Sequence, residues 1–210
     1  MTLIKQSERY RLTRVQRGGR DMVLKESLPG VRHLYSLEPV LDALRAAADE
    51  GLLAYPEYLD EQWRAGRLVA VQLMYRYIEG EPLRDALQGE NLMPEGTLHP
   101  LLEAAAELLA RLARHRLSLR DFSQGNLIVT PEGGLVLVDL ESIRSGTPSP
   151  AFQARALTRL GLPYPVADAV RRAYNRHAAA PITRFQLMRA HYVREPLRGF
   201  NQSRWWRRLR

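Results

Sequence analysis

"LRDFSQGNLIVTPEGGLVLVDLE", from Leu119 to Glu141, holds an Arg-Asp pair, an Asn five residues after that Asp, and a second Asp thirteen residues after the Asn. Within it, "NLIVT-PEGG-LVLVDL" reads as a strand, a short turn and a strand. A hairpin therefore follows the Arg-Asp pair directly. Asp121 falls in the loop before it, Asn126 starts its first strand and Asp139 ends its second. The far end of the second strand returns to where the first began, so Asn126 and Asp139 are expected to meet, with Asp121 beside them.

Upstream of this stretch, Leu98 to Leu117 carries apolar residues at Leu101, Leu102, Ala105, Leu108, Leu109 and Leu112, one face of a helix by spacing. The first part of the chain reads as strands. "YRLTRV" (Tyr10 to Val15) and "DMVLKE" (Asp21 to Glu26) alternate on either side of "QRGGR", a hairpin signal with Lys25 near the end of its second strand. "LPG" at Leu28 to Gly30 breaks the pattern. "SLEPVLDALRAAADEG" then predicts a helix capped by Ser36, with Pro39 in its first turn and Gly51 at its end. Two extended runs flank "RAG", the second from Leu68 to Ile78, and "EGEP" at Glu79 to Pro82 marks a boundary. Beyond Gly146, Pro-rich connectors separate helical stretches such as Val166 to Ala178.

Phosphoryl transfer needs a cation on the nucleotide phosphates, oxygen ligands for Mg²⁺, and an acidic residue at the attacking hydroxyl. Asp121, Asn126 and Asp139 have the residue types and the spacing for the last two. "RDFSQGN…VDLE" resembles the catalytic loop and metal-binding Asp of the protein-kinase-like superfamily, H-R-D-x-x-x-x-N followed by D-F-G. "LMYRYIEGEPL" resembles the strand and hinge that join the two kinase lobes, and "DMVLKE" resembles the strand bearing the phosphate-binding lysine. Together these cover roughly residues 10 to 145.

The resemblance implies an α+β, two-lobed fold: a small β-rich N-lobe over residues 1–79 and a reduced, mainly helical C-lobe over 80–210. It implies ATP and Mg²⁺ as cofactors. Asp121 would accept or orient the acceptor hydroxyl, and Asn126 and Asp139 would hold the metal. Lys25 would hold nucleotide phosphates, paired with Glu38 (Glu50, at the other end of the same helix, is the second choice). The backbone of Arg76 to Ile78 would meet the adenine.

The chain departs from the family pattern at several points. Leu119 stands where His usually precedes Arg-Asp, and Asp139-Leu140-Glu141 replaces D-F-G, so the glycine hinge is lost. No G-x-G-x-x-G precedes Lys25, so phosphate covering must differ. No A-P-E follows, and Pro148 and Pro150 arrive within eleven residues of Asp139, leaving no room for a long activation segment. Among kinase-like branches, these features look most like the bacterial lipopolysaccharide-core (Kdo and heptose) kinases, which implies a sugar hydroxyl of a glycolipid as acceptor. Compact atypical Ser/Thr protein kinases of the Bud and Rio type are an alternative, as is a pseudokinase scaffold that transfers nothing.

Composition fits a globular protein: 45% of residues are apolar and 26% charged. There is no cysteine, which excludes disulfides and thiolate-bound metals. No apolar run reaches the length of a spanning helix and "MTLIKQSERYR" lacks a signal-peptide core, so a cytoplasmic address is expected. Net charge is +8, read either as ordinary solvated arginine faces or as an anionic partner. "FNQSRWWRRLR" sets Trp205 and Trp206 among arginines; Arg204–Arg210 suit peripheral contact with an anionic membrane face, or a basic tail packed on the domain. Nothing organises these residues into a nucleic-acid module.

Overall fold

A computed structural model describes residues 1–29, 31, 34 and 36–194. The membrane expectation for Arg204–Arg210 and the Gly30 end of the "LPG" break lie outside the described residues.

The two alternating runs form the expected hairpin and gain a partner strand. β1 (Thr2–Gln6) pairs antiparallel with β2 (Tyr10–Arg17), and β2 pairs with β3 (Arg20–Ser27), setting Leu12 opposite Lys25 and Arg14 opposite Val23. β1 is exposed along its whole length, so it has no buried face to impose the alternation that reveals β2 and β3. Gly18 and Gly19 take φ of 57° and 74°, the left-handed backbone that a tight hairpin turn requires.

After β3, a 3₁₀ turn (Glu38–Val40) leads into α1 (Leu41–Asp49). Ser36 does not cap it. Leu37 is the capping position and no side chain caps the turn; the Leu37 N–H itself donates to Glu61 Oε1 of a neighbouring strand at 2.6 Å. β4 (Pro56–Arg64) and β5 (Arg67–Arg76) complete a five-stranded antiparallel sheet of order β1-β2-β3-β5-β4. β5 stops two residues short of the expected Ile78.

The rest is helix with short strands: β6 (Glu81–Pro82), α2 (Leu83–Ala86), α3 (Pro100–Arg114), β7 (Leu117–Leu119), β8 (Leu127–Val129), β9 (Leu135–Leu137), β10 (Ile143–Ser145), α4 (Pro150–Thr158), α5 (Tyr164–His177) and α6 (Arg184–Arg194). Pro100 sits in the first turn of α3, and the His99 ring accepts the Leu101 N–H there. The expected apolar face buries Leu102, Ala105, Leu108, Leu109 and Leu112, while Leu101 is half-buried. α3 ends at Arg114 rather than Leu117, because Arg116 turns to φ 58° and leads the chain into β7.

One apolar cluster joins the sheet to the helices, through Leu37, Leu44, Leu73, Leu83, Leu109, Leu119, Phe122 and Leu137 among others. The backbone reinforces the join. Ala54 N–H donates to the Leu137 carbonyl at 2.9 Å, and Leu137 N–H donates to that of Leu52 at 3.0 Å, tying the segment after α1 to β9. The architecture is α+β and compatible with a small kinase-like fold.

Candidate phosphotransfer site

The hairpin predicted from Leu119–Glu141 is β8–β9, with Leu127 opposite Leu137 and Val129 opposite Leu135. Asn126 closes the 3₁₀ turn that precedes β8, and Asp139 lies two residues past β9. The two stay adjacent because the Val138 N–H donates to the Asn126 carbonyl at 3.0 Å. Asn126 Nδ2 donates to the Asp121 carbonyl at 3.2 Å, which fixes the amide against the loop and leaves its oxygen to serve another group.

A strand pair that local spacing does not announce holds the Asp121 loop in place. β7 pairs antiparallel with β10, setting Leu119 opposite Ile143, so the chain before Asp121 lies along the chain after Glu141. Arg120 N–H donates to the Ser142 carbonyl at 3.3 Å and Asp121 N–H to Ser142 Oγ at 3.2 Å. Leu119 and Phe122 are fully buried on either side of the Arg-Asp pair. Where the kinase-like pattern has a histidine, Leu119 leaves the loop to be anchored by packing and by the serine.

Lys25 reaches this assembly from β3. It is 6% exposed, and its ammonium lies 3.1 Å from Asp139 Oδ1 and 2.8 Å from Glu141 Oε1. Burial works against its charge, but the two carboxylates outweigh it, Asp139 first, and the pKa moves up. Glu141 goes the other way from most acids: burial pushes it up to about 7, although Lys25 pulls it down. The Tyr10 ring lies 4.6 Å from the Lys25 ammonium, a cation–π distance, on the same side chain that pairs with the Glu141 carboxylate. Burial, with that carboxylate adding to it, pushes the phenol well above its usual range.

Glu38 is not brought to Lys25. It sits exposed in the 3₁₀ turn, and Lys25 pairs with Asp139 and Glu141 instead. The second choice, Glu50, pairs with Arg111 and His115, both at 2.9 Å. The helix that was to supply the lysine's partner begins with a turn fastened to Glu61, so its first residues point elsewhere. Glu141 was visible in the sequence only as the residue that displaces a glycine. An acid two places after a metal-binding Asp is the signal that could have found it.

The β1–β2 turn, Ser7 to Arg9, lies at the end of the sheet where Tyr10 and Lys25 meet. It is closed by Ser7: its hydroxyl accepts the N–H groups of Arg9 at 3.2 Å and Tyr10 at 3.1 Å, and its own N–H donates to the Tyr10 carbonyl at 2.9 Å. Leu28 N–H donates to the Arg9 carbonyl at 2.7 Å, fastening the turn to the end of β3. Two amides that a glycine-rich loop would offer to phosphate are thus engaged within the turn.

At the far end of the same hairpin, Tyr77 N–H donates to the Asp21 carbonyl at 3.0 Å. Arg76 ends β5 and its guanidinium pairs with Glu57 at 2.7 Å, while no backbone hydrogen bond engages Ile78 among the described residues. A depression of about 490 Å³ opens here, lined by Arg14, Arg20, Asp21, Arg76, Tyr77 and Glu79. The Arg14 guanidinium stacks 4.1 Å over the Tyr77 ring and pairs with Asp21. The depression adjoins the expected adenine-binding backbone, not the Lys25–Asp139 pair.

Asn126 and Asp139 supply an amide and a carboxylate oxygen side by side, the hard-donor chemistry that suits Mg²⁺. No group of three or more acidic or histidine side chains able to hold a metal occurs among the described residues. No helix among them is long and apolar enough to cross a membrane.

No protein-family model matches the chain. Over 90 residues, 43% of its length, it is 32% identical to a protein of Corynebacterium efficiens named as a serine/threonine-protein kinase, drp72. The match spans 16% of that relative. This likeness supports a kinase-like relationship and suggests a phosphotransferase.

Proposed function

We propose that the chain is an ATP-dependent phosphotransferase of the two-lobed, kinase-like kind, with residues 1–79 and 80–210 as its lobes. The observation that carries this reading is the meeting of Lys25, from the sheet, with Asp139, from the hairpin, 114 residues later in sequence. Lys25 holds nucleotide phosphates, and the Arg76–Ile78 backbone meets the base. Asn126 and Asp139 would hold Mg²⁺, which when bound neutralises charge on the phosphates. Asp121, on the loop that Asn126 and Ser142 fix, accepts or orients the acceptor hydroxyl.

The acceptor we propose is a sugar hydroxyl of a lipopolysaccharide-core or related glycolipid. What supports a small acceptor over a peptide is the path of the chain after Asp139: it folds back at once to pair with β7, and Gly146 to Ser149 alone connect that pair to α4. Between Asp139 and α4 no extended segment is left to seat a peptide. The competing acceptor is a protein hydroxyl, favoured by the name of the Corynebacterium efficiens relative.

Asp121→Ala is the test. It is expected to leave folding and Mg-ATP binding intact, and to lower phosphate transfer by roughly 10²- to 10⁴-fold. Turnover of ATP by the purified chain, with and without core oligosaccharide or a protein acceptor, measures it. A variant with full turnover refutes the role, and a chain that binds no Mg-ATP at millimolar concentration refutes the reading.

A further inference from the structure

We propose that Glu141 is the residue that positions Lys25 for the nucleotide, so that one segment carries both the metal ligand and the lysine's anchor. This rests on the phosphotransferase reading above. In protein kinases the lysine is steadied by a glutamate on a helix, and control of that helix switches the site on and off. Here the corresponding helix gives nothing to Lys25: Glu38 is exposed at its start and Glu50 is engaged with Arg111 and His115 at its end.

Three features of Glu141 fit the task. First, Lys25 is buried and needs a lasting polar partner. Asp139 cannot be that partner throughout a cycle if its carboxylate turns to a metal, whereas Glu141, at 2.8 Å, stays with the lysine. Second, the backbone of Glu141 is held on both sides. Its N–H donates to Asp139 Oδ1 at 3.4 Å, and the next residues, Ser142 and Ile143, bind the catalytic loop and β7. Third, the Tyr10 ring lies 4.6 Å from the ammonium that Glu141 pairs with, so the lysine is confined between an aromatic face and the carboxylate. Lysine orientation therefore follows from the same packing that places Asp139 and Asp121, with no moving helix between them.

The chain has two lysines, Lys5 and Lys25, so the ammonium group of Lys25 can be followed by ¹⁵N NMR against a single reference signal. Glu141→Gln, which keeps size and hydrogen bonding but not charge, should shift the Lys25 ammonium resonance and leave that of Lys5 alone. Glu38→Gln should move neither. In ATP turnover, Glu141→Gln should raise KM for Mg-ATP and lower kcat/KM roughly ten- to a hundredfold, with partial recovery in Glu141→Asp and a change under twofold in Glu38→Gln. A purely structural role would lower the active fraction and leave KM unchanged. An unmoved Lys25 signal in Glu141→Gln, or loss of activity in Glu38→Gln alone, overturns the proposal. A wild-type chain that binds no Mg-ATP while its Lys25 signal still follows Glu141 instead overturns the phosphotransferase reading, and with it the role of the pair.

Discussion

Gly80 offers a sharp test of how the sheet-to-hairpin junction is built. It lies in the "EGEP" turn at φ 141°, immediately before β6, and a Cβ placed on it would fall 2.1 Å from the Val129 carbonyl oxygen and 2.9 Å from Ile128 Cγ2. The closest carbon–oxygen contacts between strands run at about 3.3 Å, so an alanine must drive β6 and β8 apart by more than ~1 Å. That breaks the pairing of Glu81 with Val129 and disturbs the strand that leads out of Asn126. The strained backbone costs roughly 1–3 kcal/mol for a residue with a side chain, and forcing an atom into packed structure adds about 1–3 more. Gly80→Ala should therefore lose about 2–6 kcal/mol. With a urea dependence of about 1–3 kcal/mol per molar, the unfolding midpoint should fall by roughly 1–3 M. Gly89→Ala is the control: it too has a positive φ, 89°, but nothing lies within 4 Å of its Cβ, so it carries the backbone strain alone. Circular dichroism across a urea series on both variants makes the comparison. If the two lose the same stability within ~0.5 kcal/mol, the close approach of the turn to β8 is refuted.

Leu119→Ala removes a fully buried side chain beside the Arg-Asp pair and should cost about 2–5 kcal/mol, read as a fall in melting temperature of roughly 5–15 °C; a fall of under ~2 °C would mean the loop is not anchored there. Stability of the metal-free chain should also depend on pH through Glu141. Its pKa rises from 4.5 to about 7 on folding, so between those values the folded state keeps a proton that the unfolded chain has released, and stability falls as pH rises through that window. The raised pKa of Lys25 acts only near and above its ordinary range, so it does not oppose this trend. The loss is roughly 2–3 kcal/mol between pH 5 and 8, and Glu141→Gln should flatten it; equal pH profiles for wild type and variant, measured by urea titration, would contradict the buried placement of Glu141.

Periodicity and spacing were enough to read the β2–β3 hairpin, α3, and the β8–β9 hairpin with Asp121, Asn126 and Asp139 around it, since each is built from contacts between residues close in sequence. The β1 strand was invisible because it buries no face. The β7–β10 pair was invisible because two three-residue strands, separated by the 23 residues between Leu119 and Ile143, carry no period long enough to read. The partner of Lys25 was misread for a related reason. A helix acid at the customary place was legible, but the direction in which the helix start points depends on Glu61, which lies on another strand.

By itself the sequence determined which residue types were available and which of them local structure would set side by side: a carboxylate five residues before an amide, and a second carboxylate at the far end of the hairpin the amide begins. The tertiary structure decided which carboxylates pair with the buried lysine. Lys25 and Glu141 are 116 positions apart in the chain, and a charge buried that deeply takes whichever counter-charge the packing delivers, not the one that spacing suggests.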